Sequence, residues 1–117
     1  MKKIYHLATC STCQQILDEF GAKGKDFSKQ DIKTEKISPA QLEEMKALAG
    51  SYEALFSRRA LKYRELGLNN KTLSEKEYRD FILQEYTFLK RPVVINGDRI
   101  FIGNAPKTVA EAKSSMK

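Results

Sequence analysis

A chain of 117 residues, 41% apolar and 31% charged with six Gly and three Pro, has the size and composition of one globular domain and excludes collagen-like, mucin-like and disordered classes. Such a chain buries roughly two thirds of its unfolded surface, so its core needs no disulfide staples. Lys and Arg number 21 against 15 Asp and Glu, a net charge of +6; this favours anionic partners but carries no base readout, so no direct sequence-specific nucleic-acid binding is expected. No apolar stretch approaches the ~18 residues of a membrane span, and the start MKKIYHLATC turns polar before a secretory core forms, so no membrane association is expected and the expected compartment is the cytoplasm.

Lys3-Ile4-Tyr5-His6-Leu7 reads as a short strand entering a loop that ends at Cys10. Cys13, Ile16, Leu17 and Phe20 then recur at spacings of three and four, an apolar stripe on a helix stopped near Gly21 and Gly24. A second strand is expected around Phe27. Strand, helix and strand within about thirty residues predict a βαβ unit with parallel strands and a right-handed crossover.

Ser38-Pro39-Ala40-Gln41 supplies an N-cap, a proline at the first helical position and a capping-box Gln, with Leu42, Met45 and Leu48 as the buried face and Gly50 as the stop. An amphipathic stretch with Tyr52, Leu55 and Phe56 leads to Arg58-Arg59, expected on a solvated helix face. Leu66-Gly67-Leu68 turns the chain, and Ser74 with Glu77 opens another helix carrying Tyr78, Phe81 and Ile82. Residues 38–86 are therefore expected to be mostly helical. Beyond them Arg91-Pro92-Val93-Val94-Ile95 and Arg99-Ile100-Phe101-Ile102 flank Asn96-Gly97-Asp98, a β-hairpin whose Asn-Gly tolerates positive φ. A last helix is expected from about Thr108 through Ala110 and Ala112, fraying into Ser-Ser-Met-Lys. No second domain is expected.

Cys10-Ser11-Thr12-Cys13 falls between the first strand and the first helix, the setting of thioredoxin-like redox chemistry. A cysteine at a helix N-terminus faces unpaired N–H groups and the positive end of the macrodipole, which favour its thiolate. Cys10 is accordingly the candidate nucleophile, and Cys13, one turn on, the candidate resolving thiol. Two Cys and one His cannot complete a structural four-ligand zinc site, so no metal is expected. His6, four residues before Cys10, is either a hydrogen-bonded strand histidine or a group that tunes the thiolate. Arg58, Arg59 and Arg91 are ordinary surface residues or, beside a thiolate, oxyanion ligands that lower its pKa. Pro92 is admissible only at the first position of its strand or on an edge.

Three segments together resemble the arsenate reductase (ArsC) and Spx family of thioredoxin-like proteins: His6-x-x-x-Cys10-Ser-Thr-Cys13, Phe56-Ser-Arg-Arg59 with Tyr63-Arg-Glu-Leu-Gly-Leu68, and Lys90-Arg-Pro-Val-Val-Ile95 with its hairpin. The resemblance spans nearly the whole chain. It implies an α/β, glutaredoxin-like core of βαβ plus a C-terminal ββα, residues 38–86 inserted between the halves of a single domain 1–117, and a cis Pro92 that shapes the substrate groove. It also implies Cys10 as nucleophile, His6 as the family histidine, Arg59 and Arg91 as oxyanion-binding arginines with Arg58 as the neighbouring alternative, and Cys13 as internal thiol. The substrate is then a small oxyanion or a disulfide, with no bound cofactor and with glutathione, glutaredoxin or thioredoxin as the electron donor. The chain departs from the reductase members at four places. Ile102-Gly103 stands where they carry a third arginine, with Arg99 out of register, and Ala8, Ser11 and Gln14 replace their Pro, Gly and Arg. These differences favour general thiol redox chemistry over arsenate itself. The alternative implied is an Spx-like redox-sensing regulator that docks on the RNA polymerase α subunit. A third reading is a family member that has lost activity.

Overall fold

The computed structural model describes residues 1–116. They form two compact units, one made of Met1–Lys36 with the chain from Arg91 onward, the other of Ile37–Lys90.

The first unit carries β1 (Lys2–His6), α1 (Ser11–Phe20), β2 (Ser28–Asp31), β3 (Val93–Asn96), β4 (Arg99–Ile102) and α5 (Pro106–Ser115). Its sheet runs β2-β1-β3-β4, with β1 parallel to β2 and antiparallel to β3. This is the expected βαβ followed by ββα. The central strands show why they are central: Ile4, Tyr5, Val93, Val94 and Ile95 are all buried, although they point alternately to opposite faces. On one face Ile4, Val94 and Phe101 pack with Ile16 and Phe20 of α1 and Val109 and Ala112 of α5.

Three local expectations are corrected. The second strand begins at Ser28 and not around Phe27, whose N–H donates to the Gly24 carbonyl (3.1 Å) behind the 3-10 turn Gly21–Gly24. The Phe27 ring belongs to the core; its hydrophobicity marks burial, not the start of pairing. In the hairpin Asn96 pairs with Arg99 as the last strand residue, and Gly97 alone takes positive φ, 67°. The positive φ thus falls on Gly97 and not on Asn96. Finally, α5 begins at Pro106 and persists through Ser115, with Met116 buried in the core instead of frayed; Lys117 lies outside the described residues.

The second unit holds α2 (Pro39–Ala49), α3 (Leu61–Glu65) and α4 (Glu75–Gln84), joined through the 3-10 turns Glu53–Leu55 and Leu68–Asn70 and followed by Tyr86–Phe88. Both capping boxes form: Ser38 with Gln41 and Ser74 with Glu77 exchange side-chain and backbone hydrogen bonds at 3.0–3.2 Å. Gly50 ends α2 in the left-handed region, φ 96°. Arg58 and Arg59 do not lie on a helix; they occupy a turn before α3. The cause is upstream. Phe56 adopts extended backbone and bridges Leu89, and Ser57 N–H donates to the Phe88 carbonyl at 2.7 Å. The Phe56 ring stacks on Phe88 (5.0 Å between centroids) and meets Tyr78 (4.8 Å) and Tyr63 (6.0 Å).

Candidate active site

The chain leaves β1 at His6 and reverses through a tight loop closed by Cys10 N–H donating to the Leu7 carbonyl (3.0 Å). Cys10 is the N-cap of α1, with extended backbone (φ −92°, ψ 113°), and the Gln14 N–H returns to its carbonyl at 3.1 Å. Its side chain provides no capping oxygen, and the first turn holds no acidic residue, so the positive end of the helix is left to the sulfur. Both cysteines are free thiols, Cys10 half-buried and Cys13 buried.

The two thiols are driven apart. Partial burial is the largest influence on Cys10 and opposes its ionisation, but the Cys13 N–H, the Cys13 thiol, the Thr12 N–H and the Arg91 charge outweigh it and hold its pKa below the ordinary thiol value. Burial pushes the Cys13 thiol up to about 11, reinforced by the neighbouring Cys10 charge and only partly offset by a backbone contact with Leu7 and by Arg91. The two shifts run in opposite directions, so negative charge is favoured on Cys10 over Cys13, whose thiol is a hydrogen-bond partner of Cys10.

The Arg91–Pro92 bond is cis, and the Pro92 carbonyl accepts from Gly103 N–H at 2.9 Å. One step beyond the pair Tyr5↔Val93, the antiparallel register of β1 and β3 sets Pro92 abreast of His6. His6 is half-buried, with its Nδ1 enclosed and without a hydrogen-bond partner. Burial lowers its pKa, the carboxylate of Asp31 pulls it up, and Lys29 lowers it again. Asp31 and Lys29 were not legible as neighbours from the sequence. The signal is the parallel register, which pairs His6 with Asp31 and Ile4 with Lys29.

The first unit thus brings together Cys10, Cys13 and Arg91, with His6 at the end of β1 and Pro92 immediately before β3. Arg58 and Arg59 belong to the second unit. There the two differ: Arg58 is bound to Glu53 (2.8 Å) and to the Tyr78 hydroxyl (3.0 Å), whereas the exposed Arg59 side chain has no ion pair among the described residues. Gly103, one of the Ile102-Gly103 pair expected at the place of a third arginine, stands at φ 91°, a conformation costly for any residue with a Cβ. Among the described residues no three His, Cys, Asp or Glu side chains gather to hold a metal, and no helix is long and apolar enough to cross a membrane.

Comparison with known proteins places this geometry. An arsenate reductase from Haemophilus influenzae is 43% identical over 49 residues, a match that covers 42% of this chain and only 42% of that protein's length. The global transcriptional regulator Spx of Lactiplantibacillus plantarum is 24% identical over 101 residues, covering 86% of this chain and 76% of the regulator. An arsenate reductase structure from Vibrio cholerae superposes with a TM-score of 0.79 at 21% identity, covering 95% of this chain and 96% of that one; the fold is the thioredoxin-like α/β fold of these proteins. The sequence profile of the ArsC family matches residues 5–112, a span that includes both cysteines, the candidate arginines Arg58, Arg59 and Arg91, and Pro92, and the chain belongs to the ArsC family.

Proposed function

We propose that the protein is a thiol oxidoreductase of arsenate reductase type, a single domain with residues 38–86 inserted between its halves, working in the cytoplasm. The observation that carries this reading is the pairing of an acid-shifted Cys10 at the N-cap of α1 with a buried, proton-retaining Cys13 one turn on. With a disulfide as substrate, the Cys10 thiolate attacks one sulfur, the S–S bond breaks, and the other sulfur leaves as a thiolate. Cys13 gives up its proton and attacks Cys10, releasing the second substrate thiol and leaving a Cys10–Cys13 disulfide that a reduced thiol donor returns to the dithiol. With arsenate, the Cys10 thiolate forms an S–As bond as an oxygen leaves as water. A second thiol then attacks the sulfur, the S–As pair of electrons passes to arsenic, and As(V) becomes As(III) as a disulfide forms.

Arg59 and Arg91 are assigned to hold the anion, with Arg58 as the neighbouring alternative, and His6 and Pro92 to shape the cysteine loop. No bound cofactor takes part; glutathione, glutaredoxin or thioredoxin supplies electrons. The test is substitution of each sulfur in turn. Cys10→Ser abolishes disulfide and arsenate turnover, whereas Cys13→Ser accumulates a mixed species on Cys10 that intact-mass spectrometry detects; full turnover by Cys10→Ser would sink the reading.

The likeness to Spx over most of the chain supports a second reading, in which the same cysteine pair is an oxidation switch on a regulator that docks on the RNA polymerase α subunit. Retention of purified α subunit by the oxidised protein and not by the reduced one, together with absent turnover, favours this alternative.

A further inference from the structure

We infer that Arg58 is a positioning residue whose work is to present Arg59, and that it is not itself a ligand of the substrate. This rests on the assignment of Arg59 to the anion. Both partners of Arg58 are built into the unit. Its Nη2 donates to Glu53 Oε2 at 2.8 Å and to the Tyr78 hydroxyl at 3.0 Å, and the guanidinium lies 5.8 Å from the Tyr78 ring centroid. Tyr78 is buried on α4 against Phe56. Glu53 is pinned through its own backbone, since Glu75 Oε2 accepts from Glu53 N–H at 3.0 Å while Oε1 accepts from Tyr52 N–H at 2.6 Å.

The turn is fastened on its other side as well, by Ser57 N–H to the Phe88 carbonyl at 2.7 Å and by Arg59 N–H to Ser57 Oγ at 3.4 Å. A turn held at residues 57 and 58 has little freedom left at 59. Recruiting Arg58 to an oxyanion would break a charge-assisted hydrogen bond and uncover Glu53, a carboxylate that repels the anion. Arg59 offers its five N–H donors without breaking an ion pair. The sequence presents two equivalent adjacent arginines, and the fold makes one a strut and leaves the other without an ion pair among the described residues.

The experiment is a double-mutant cycle on the full chain, comparing the parent protein with Arg58→Ala, Arg59→Ala and the double variant. In each, the arsenate concentration that half-protects reduced Cys10 from iodoacetamide is read by peptide mass. Arg59→Ala raises that concentration about ten-fold or more and Arg58→Ala roughly three- to ten-fold, and the double variant matches Arg59→Ala alone, because effects routed through one residue do not add. Glu53→Gln and Tyr78→Phe, each removing one partner of Arg58, move protection the same way by roughly two-fold and do nothing in the Arg59→Ala background. These milder variants decide the matter if Arg58→Ala unfolds, which circular dichroism detects. Effects that multiply in the double variant overturn the inference and leave the assignment of Arg59 standing. An unaltered Arg59→Ala, or a parent protein that arsenate does not protect, overturns that assignment and the inference together.

Discussion

Two sulfurs three residues apart meet opposite fields, and the difference is set at the level of single groups. Cys10 stands where N–H groups point outward and no acidic side chain competes for them; Cys13 is 1% exposed within the first turn, on the face that packs into the sheet. Alkylation followed at each cysteine across pH accordingly gives two separate titrations. Cys10 reaches half its maximal rate below the pH of a free thiol, and Cys13 near 11. Superimposed curves near pH 8.5, the ordinary thiol value, would remove the basis of the proposed chemistry. The Cys-x-x-Cys spacing and its place between strand and helix carried this much in the sequence, because N-cap electrostatics are local. The surroundings of His6 were not legible in the same way, since Asp31 reaches it only through strand register. Burial depresses the His6 pKa below 6.5, so the unfolded chain takes up the proton first as pH falls, and stability drops from that pH down through the folded-state value. Urea midpoints measured from pH 7.5 to 5 should decline, and the decline should flatten in His6→Gln. An unchanged slope in that variant would assign the acid sensitivity to other groups.

At the scale of elements, the two longer helices of the inserted segment owe their starting points to single serines. Ser38 and Ser74 each accept from the N–H three residues on, and each donates its own backbone N–H to the side-chain Oε1 of Gln41 or Glu77. Ser38→Ala and Ser74→Ala should each cost about 1 kcal/mol in denaturant unfolding, with the slope unchanged; a loss below about 0.3 kcal/mol would show that tertiary packing alone fixes these ends. Such signals span four residues, and so the sequence displayed them in full. α5 was anticipated two residues late because its N-cap is Ala105, which has no capping side chain. The hairpin is legible in the sequence, but its positive φ falls on Gly97 and not on Asn96. Asn96 is held in the strand by donating its side-chain amide to the Ser115 carbonyl (3.0 Å) and Oγ (3.1 Å), a contact nineteen residues away that no local turn rule contains. Arg58 and Arg59 left their expected helix for a comparable reason, the bridge from Phe56 to Leu89.

Across the whole molecule, the sheet of the first unit is assembled from both ends of the chain, with β1 seated between β2 and β3. The βαβ half was readable from periodicity; the long-range pairing of β1 with β3 rested on family resemblance, because a separation of about ninety residues leaves no periodic trace. Charge acts at this scale too. A net +6 surrounds a thiol whose ionisation Arg91 already favours, so the molecule's field should draw anionic reaction partners to Cys10 more strongly than neutral ones. In the Cys13→Ser protein, where Cys10 is the one thiol left, the rate with a dianionic aryl disulfide such as dithionitrobenzoate should fall several-fold between about 0.01 and 0.15 M salt, as the screening length contracts from about 30 to about 8 Å. The rate with a neutral dipyridyl disulfide should stay nearly level, because only the encounter with a charged reagent is screened. Arg91→Gln should weaken the first dependence and leave the second as it is. Parallel salt curves for the two reagents would mean that the positive charge is only a solvated surface and contributes nothing to substrate choice.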